Sequence, residues 1–192
     1  MAVIERIYKK PTRAYLFDRI IQDLQNALGG VSWLTHIFGR SERLVKMHDG
    51  VRKYTPNVYY KNDEYIQLLP DNTALGNYCF FVLEEPQVVS VPFGSSNRVK
   101  SPFSLIVWFD MRTVGATYDD RNTEQLKEQL LKTLRRAWLK AGAVTLGRVY
   151  ERAENVFSGY TIDEIDNQYL MAPFAGFRIT GEMQIDEECD NQ

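Results

Sequence analysis

This chain has few of the residues that usually announce chemistry. Its 192 residues include only two cysteines and two histidines. Cys79 and Cys189 are too few for a disulfide framework and stand at no metal-ligand spacing. Cys79 falls in an apolar run and reads as a small buried hydrophobe, while Cys189, in a polar tail, reads as a free thiol. His36 and His48 have no Ser or Cys partner at any motif spacing, which argues against a hydrolytic triad. Metal ligation by histidine needs more ligands than lie near either one. No apolar run approaches the ~20 residues of a membrane span. The opening Met-Ala-Val-Ile-Glu-Arg has no apolar signal core, so an intracellular product with no membrane partner is expected. A formal net charge of -2 is too small to indicate nucleic acid or a lipid surface as partner.

What is present suits a single folded domain spanning residues 1–192. A chain of this length buries roughly 70% of its unfolded surface, so it needs no disulfide or metal staple. The hydrophobic fraction of 44% and the 12 glycines and 7 prolines exclude a disordered or low-complexity chain. No internal repeat and no Ser-, Pro- or Gly-rich linker divides it. Charge is unevenly placed. Residues 1–64 carry eleven Lys/Arg against seven Asp/Glu, whereas residues 150–192 carry two against ten. That asymmetry either orients head-to-tail association or marks a solvated acidic tail over residues 186–192.

Periodicity supplies the elements. After an arm over residues 1–11, Leu16, Phe17, Ile20, Ile21, Leu24, Ala27 and Leu28 keep a 3.6-residue stripe, which predicts a helix from Thr12 to Leu28 stopped by Gly29-Gly30. Trp33, Ile37 and Phe38 suggest a short helical turn within residues 31–40. His48-Asp49-Gly50 between Arg43–Met47 and Val51–Tyr54 is a tight-turn signal and predicts a hairpin, with Pro56 as a break. Val58–Tyr60 and Tyr65–Leu69 are short strand candidates. Tyr78–Leu83 is apolar on both faces and reads as an inner strand. Residues 84–102 read as an extended loop. Phe103–Val114 is the strongest strand, with Leu105, Val107, Phe109 and Met111 on one face.

A second helix is predicted from Glu124 to about Lys140, its core face formed by Leu126, Leu130, Leu134 and Ala137, with Leu131 and Trp138 alongside. Arg148–Phe157 reads as a short amphipathic segment. The closing run alternates Phe177, Ile179, Met183 and Ile185 with Arg178, Thr180, Glu182 and Gln184, the signature of a strand with one buried and one wet face. Together these predict an α+β fold, a mostly antiparallel β-sheet with two or three helices packed on one face.

Candidate chemistry is sparse. Asp110, Asp119-Asp120 and Asp163-Glu164 with Asp166 are the carboxylates that would have to converge on Mg2+ in a metal-dependent nuclease or phosphoesterase. The simpler account puts Asp110 at the wet end of its strand and Asp119-Asp120 before a helix N-terminus, where the macrodipole favours acids. Gly94-Ser95-Ser96-Asn97-Arg98 lacks the Gly-x-x-x-x-Gly-Lys pattern of a phosphate loop. Tyr54, Tyr59, Tyr60 and Tyr65, interleaved with Arg52, Lys53 and Lys61, suit a protein interface, where amphipathic aromatics are enriched.

Taken in order, the amphipathic first helix, the strands near Tyr78 and Phe103, the helix from Glu124 and the ending Met171-Ala-Pro-Phe-Ala-Gly-Phe-Arg-Ile179 resemble the tail-terminator or tail-completion proteins of tailed bacteriophages. The resemblance spans most of residues 12–189, and residues 31–70 exceed the small family core, leaving room for another head-tail connector ring. It implies a non-catalytic structural protein without cofactor or metal, made in the host cytoplasm and built into the virion at the neck. It further implies a homo-oligomeric, hexameric ring that ends tail-tube assembly and joins tube to head-neck proteins, with DNA passing through the lumen without specific binding. On that reading the expected contact residues are Tyr59, Tyr60, Phe93, Arg98, Arg178 and Glu182. The residue 84–100 segment is expected to reach a neighbouring subunit or ring.

Overall fold

The structure, a computed structural model, describes residues 3–4, 15–61, 64–90, 96–114, 123–140 and 142–188. Its framework is one nine-stranded sheet of order β4-β3-β2-β5-β7-β9-β8, with short β1 beside β2 and β6 beside β7. The strands are β1 (Val3–Ile4), β2 (His36–His48), β3 (Val51–Lys61), β4 (Glu64–Gln67), β5 (Tyr78–Leu83), β6 (Val88–Ser90), β7 (Ser96–Asp110), β8 (Ala143–Tyr150) and β9 (Phe174–Glu188). Only β1–β2 and β2–β5 pair in parallel; all other ladders are antiparallel. The α+β, mostly antiparallel fold is therefore observed.

Helices α1 (Tyr15–Leu28) and α2 (Glu124–Arg135) cover one face of the sheet. Phe17, Ile20, Ile21, Leu24 and Leu28 meet Leu126, Leu130 and Leu134 over Phe81, Phe103, Leu105, Val107, Phe109, Phe177, Ile179, Met183 and Ile185, forming the larger core. Buried Gln25 donates from Nε2 to Ile37 O (2.9 Å), fastening α1 to β2. Trp33 Nε1 donates to Gln129 Oε1 (2.9 Å), fastening the first loop to α2. Four-residue α3 (Ala153–Val156) belongs to the opposite face, where Val156 and Phe157 pack with Phe38, Val58, Leu68, Tyr78, Phe80, Ile106 and Trp108. The split follows from the pleat: odd residues of β7 enter one core and even residues the other.

β9 keeps the alternation read from its sequence, with Phe177, Ile179, Met183 and Ile185 buried. Between them Gly181 leaves room that Phe103 and Thr145 O occupy, so a Cβ there would collide with both. The hairpin between β2 and β3 forms as its Asp-Gly pair predicts, both turn residues adopting positive φ (Asp49 49°, Gly50 78°).

Several expectations are corrected. Residues 36–40 are strand, because Ile37 and Arg40 pair with Cys79 and Phe81 across a bulge that scrambles the period-two pattern. Pro56 does not break β3. Its carbonyl accepts from Leu68 N (2.8 Å), so its missing N–H also lies on the β4 side, past the end of β4, and the β2 ladder loses nothing. The amphipathic segment at Arg148–Phe157 is divided between β8 and α3. Edge pairing to β9 wins, and a register shift between Leu146 and Val149 hides the strand period. Helix α2 stops at Arg135, short of the expected Lys140, and Trp138 is 81% exposed instead of lying alongside the core.

The extended loop over residues 84–102 is mostly ladder. Val88–Ser90 pairs with Arg98–Lys100, and residues 96–102 pair with 188–182 of β9, which also draws the first acidic tail residues, 186–188, into the sheet. Most of the N-terminal arm, Thr12, Phe93, Asp119-Asp120 and Cys189 lie outside the described residues, as does the side chain of Tyr60.

Candidate assembly surface

β2 changes partners along its length. Up to Arg40 it lies against β5; from Ser41 onward it pairs only with β3, so the β2–β3 hairpin leaves the main sheet as an arm. Tyr54 and Pro56 direct their backbone groups toward Thr161 and Leu68, away from β2. The residues opposite them, Val45 and Arg43, together with Met47, therefore direct N–H and C=O away from β3, where no strand among the described residues pairs with them. Val45, Met47 and Val51 are large apolar side chains more than half exposed near the end of this arm. Arg43 stacks its guanidinium over Tyr54, 3.9 Å from the ring centroid. Lys53 pairs with Glu164, which holds the Glu164 carboxyl below its usual range and ties the outer half of the arm to the loop after α3.

At the fork where β2 parts from β5 lies a cleft of about 500 Å³ lined by Arg40, Arg43, Glu84, Ser158, Tyr160 and Arg178 among others. Arg178, on the wet side of β9, joins its walls. It donates to Glu84 Oε1 (2.5 Å), Ser104 Oγ (2.9 Å) and Ser158 O (2.8 Å). Ser104 Oγ also donates to Glu84 Oε1 (2.9 Å), and Ser41 Oγ donates to Phe81 O (3.1 Å). Burial pushes the Tyr160 phenol up, opposed by its hydrogen bond with Ser41. Arg178 thus works inside the subunit, linking β5, β7, β9 and the loop after α3, where its side chain is mostly buried.

The other expected contact residues do not gather at one place. Glu182 pairs with Lys100 (2.7 Å) across β7–β9 on the partly open sheet surface. Tyr59 packs edge-on against Tyr65 (5.5 Å) on the β3–β4 hairpin, and Arg98 sits opposite Ser90 in β6–β7. Phe93 lies outside the described residues, and Tyr60 is placed by its backbone alone.

The carboxylates have local partners. Asp110 receives Arg112 Nε and Nη2 (3.0 and 2.6 Å) and Arg112 N (2.9 Å) at the start of a 3-10 turn over residues 111–113; these bonds hold its carboxyl below the usual range. Asp166 caps a similar turn through Gln168 N (3.1 Å). Among the described residues no group of three or more His, Cys, Asp or Glu is placed to hold a metal ion. His36 Nδ1 lies 2.8 Å from Leu75 O and its ring stacks on Phe38, a packed side chain rather than a ligand.

No protein-family model matches this chain, and no curated protein matches its sequence.

Two structural residues escaped the sequence reading. Buried Asn77 donates from Nδ2 to Trp33 O (2.9 Å), accepts at Oδ1 from Asp110 N (2.9 Å) and bonds Thr113, tying the first loop, β5 and the end of β7 together. Gly176 faces Trp108, and a Cβ there would collide with the indole and with Val107 O. The only signal for either is a small or polar residue beside an apolar run.

Proposed function

We propose that this chain is a non-catalytic structural subunit of a tailed-bacteriophage virion, a ring component at the neck of the tail-terminator kind. In that role it ends tail-tube growth, joins the tube to head-neck proteins, and forms a sixfold homo-oligomer through whose lumen DNA passes unbound. The observation that carries the reading is the β2–β3 arm. A hairpin that leaves its sheet with a backbone edge unpaired among the described residues and exposes Val45, Met47 and Val51 is poor as a solvent surface and well suited to a neighbouring subunit. The α+β sheet with α1 and α2 on one face agrees with the family that the order of elements resembles. No helix among the described residues is long and apolar enough to cross a membrane.

The test is negative-stain microscopy and light scattering of the purified chain, alone and with assembled tail tubes. Closed rings that are lost in a Val45→Lys, Met47→Lys double variant with an unchanged circular dichroism spectrum are the expected result. A chain that stays monomeric at high concentration and leaves tail tubes uncapped overturns the reading.

A further inference from the structure

A tryptophan 81% exposed is expensive to leave in water, because an indole offers roughly 150–250 Å² of burial. Trp138 is not on a frayed end. Its neighbours Ala137 and Leu139 pack against the main core, and Lys140 N donates to Asp23 Oδ2 of α1 (2.7 Å). The chain geometry therefore holds the indole outward. Along the chain, residues 132–140 contain Lys132, Arg135, Arg136 and Lys140, all exposed, and the acid placed beside them is Asp23 of α1. Tryptophan and arginine together are the residue types that dominate binding energy at protein interfaces.

The complementary surface is on the same chain. Residues 152–171 carry Glu154, Asp163, Glu164 and Asp166 against Arg152 and against Lys53 of the β2–β3 arm, which pairs with Glu164, and they end at Met171, which is 59% exposed. This stretch packs through Val156, Phe157, Tyr160 and Ile162 on the opposite side of the sheet from α2. A cationic, Trp-bearing surface on one face and an acidic, Met-bearing surface on the other cannot meet within one subunit. They can meet between two copies stacked head to tail.

We propose that Trp138, with Arg135 and Arg136, docks onto the acidic residue 152–171 surface of a second copy of this chain. The contact is heterologous, so repetition closes a ring or, if the rotation does not close, extends an open chain. The proposal rests on the ring reading above only for that closure. The acidic surface adjoins the β2–β3 arm through the Lys53–Glu164 pair and the backbone bond from Thr161 N to Tyr54 O.

The structure supplies its own probe. Trp33 and Trp108 are buried, so acrylamide quenching of the exposed fluorescence reports Trp138. In low salt, raising the protein concentration is expected to shield Trp138 in step with association measured by sedimentation, and salt is expected to reverse both. Trp138→Ala is expected to weaken association roughly thirtyfold, the effect of losing a hot-spot side chain. An Arg135→Glu, Arg136→Glu variant and a Glu154→Lys, Asp163→Lys variant should each associate poorly alone, and mixing the two should restore association. Association unchanged in these variants, or a wild-type chain whose Trp138 stays fully quenchable at every concentration, overturns the proposal. Shielding of Trp138 by single-stranded DNA on a monomeric chain also overturns it. Negative-stain images separate it from the ring reading. Open chains that need Trp138 leave this contact standing without a ring, and intact rings in Trp138→Ala leave a ring without this contact.

Discussion

Replacing Asn77 with alanine tests whether one buried amide holds three segments together. The substitution removes the donor to Trp33 O and the acceptor for Asp110 N, both at 2.9 Å. A buried backbone group left without a partner costs about 1–3 kcal/mol, so two such groups set a range of about 2–6 kcal/mol. Trp33 is buried and bears the full cost, whereas Asp110 sits at a half-buried rim where water replaces part of its bond. The expected loss is therefore about 3 kcal/mol. For a chain of this size that corresponds to a fall in Tm of roughly 6–12 °C.

Thr113→Val, which removes only the hydroxyl's bonds to the same amide and to Asp110 O, should cost about 1 kcal/mol. Because Asn77 and Thr113 bond each other, the double variant should cost less than the sum of the two. Urea unfolding followed by tryptophan emission measures all three, with an unchanged m-value as the check that only stability moved. An Asn77→Ala variant within 0.5 kcal/mol of wild type would refute the role assigned to this residue.

Gly176→Ala should destabilise by about 1–3 kcal/mol or abolish soluble expression, because its Cβ meets Val107 O, a backbone atom that cannot turn aside; an unchanged Tm contradicts this. Arg178→Met should cost about 1–2 kcal/mol by leaving Ser158 O without its donor and Glu84 with Ser104 Oγ in place of a charged partner, discounted because Glu84 is about a third exposed, and Arg178→Lys should recover only part of it. Burial pushes the Cys79 thiol up, so peptide mapping after iodoacetamide at pH 8 should find Cys79 unmodified in the native chain and modified in urea. Burial also raises the phenols of Tyr78 and Tyr160 above their ordinary 10.0. Groups whose folded pKa is raised contribute stability that is complete below the unfolded value and is lost as pH rises through the folded one. Stability should therefore hold to about pH 9 and fall beyond pH 10, and flat urea midpoints from pH 8 to 11 would contradict that.

Much of the architecture was legible in residue order. The α1 stripe and the alternation of Phe177–Ile185 each reflect a segment with one buried apolar face, and the apolar runs at Tyr78–Leu83 and Phe103–Met111 reflect strands buried on both. Asp49-Gly50 announced its hairpin because few residue pairs accept positive φ twice. Two of the errors share a cause, because bulges at Ile37/Arg40 and Leu146/Val149 interrupt period two; a third arose because Pro56 is compatible with β3 where β4 ends before it. For the candidate surface, the sequence reading put Arg178 and Glu182 on a wet face of β9, but only Glu182 is partly open and the Arg178 side chain is mostly buried. It did not foresee that Arg178 turns inward to Glu84, a partner far away in the chain.

By itself the sequence determined the class of protein: an α+β domain with two amphipathic helices, a central apolar strand pair and an uneven distribution of charge. These are properties of local periodicity and composition, which act through which atoms must leave water. Tertiary structure alone decided that β2 leaves β5 at Arg40 to make an arm, that Asn77 joins three segments, and that α2 stops at Arg135 so that Trp138 faces solvent. Those outcomes depend on pairings between residues distant in the chain, where a shift of one position or one missing partner strand changes which groups are buried. No local pattern carries that information.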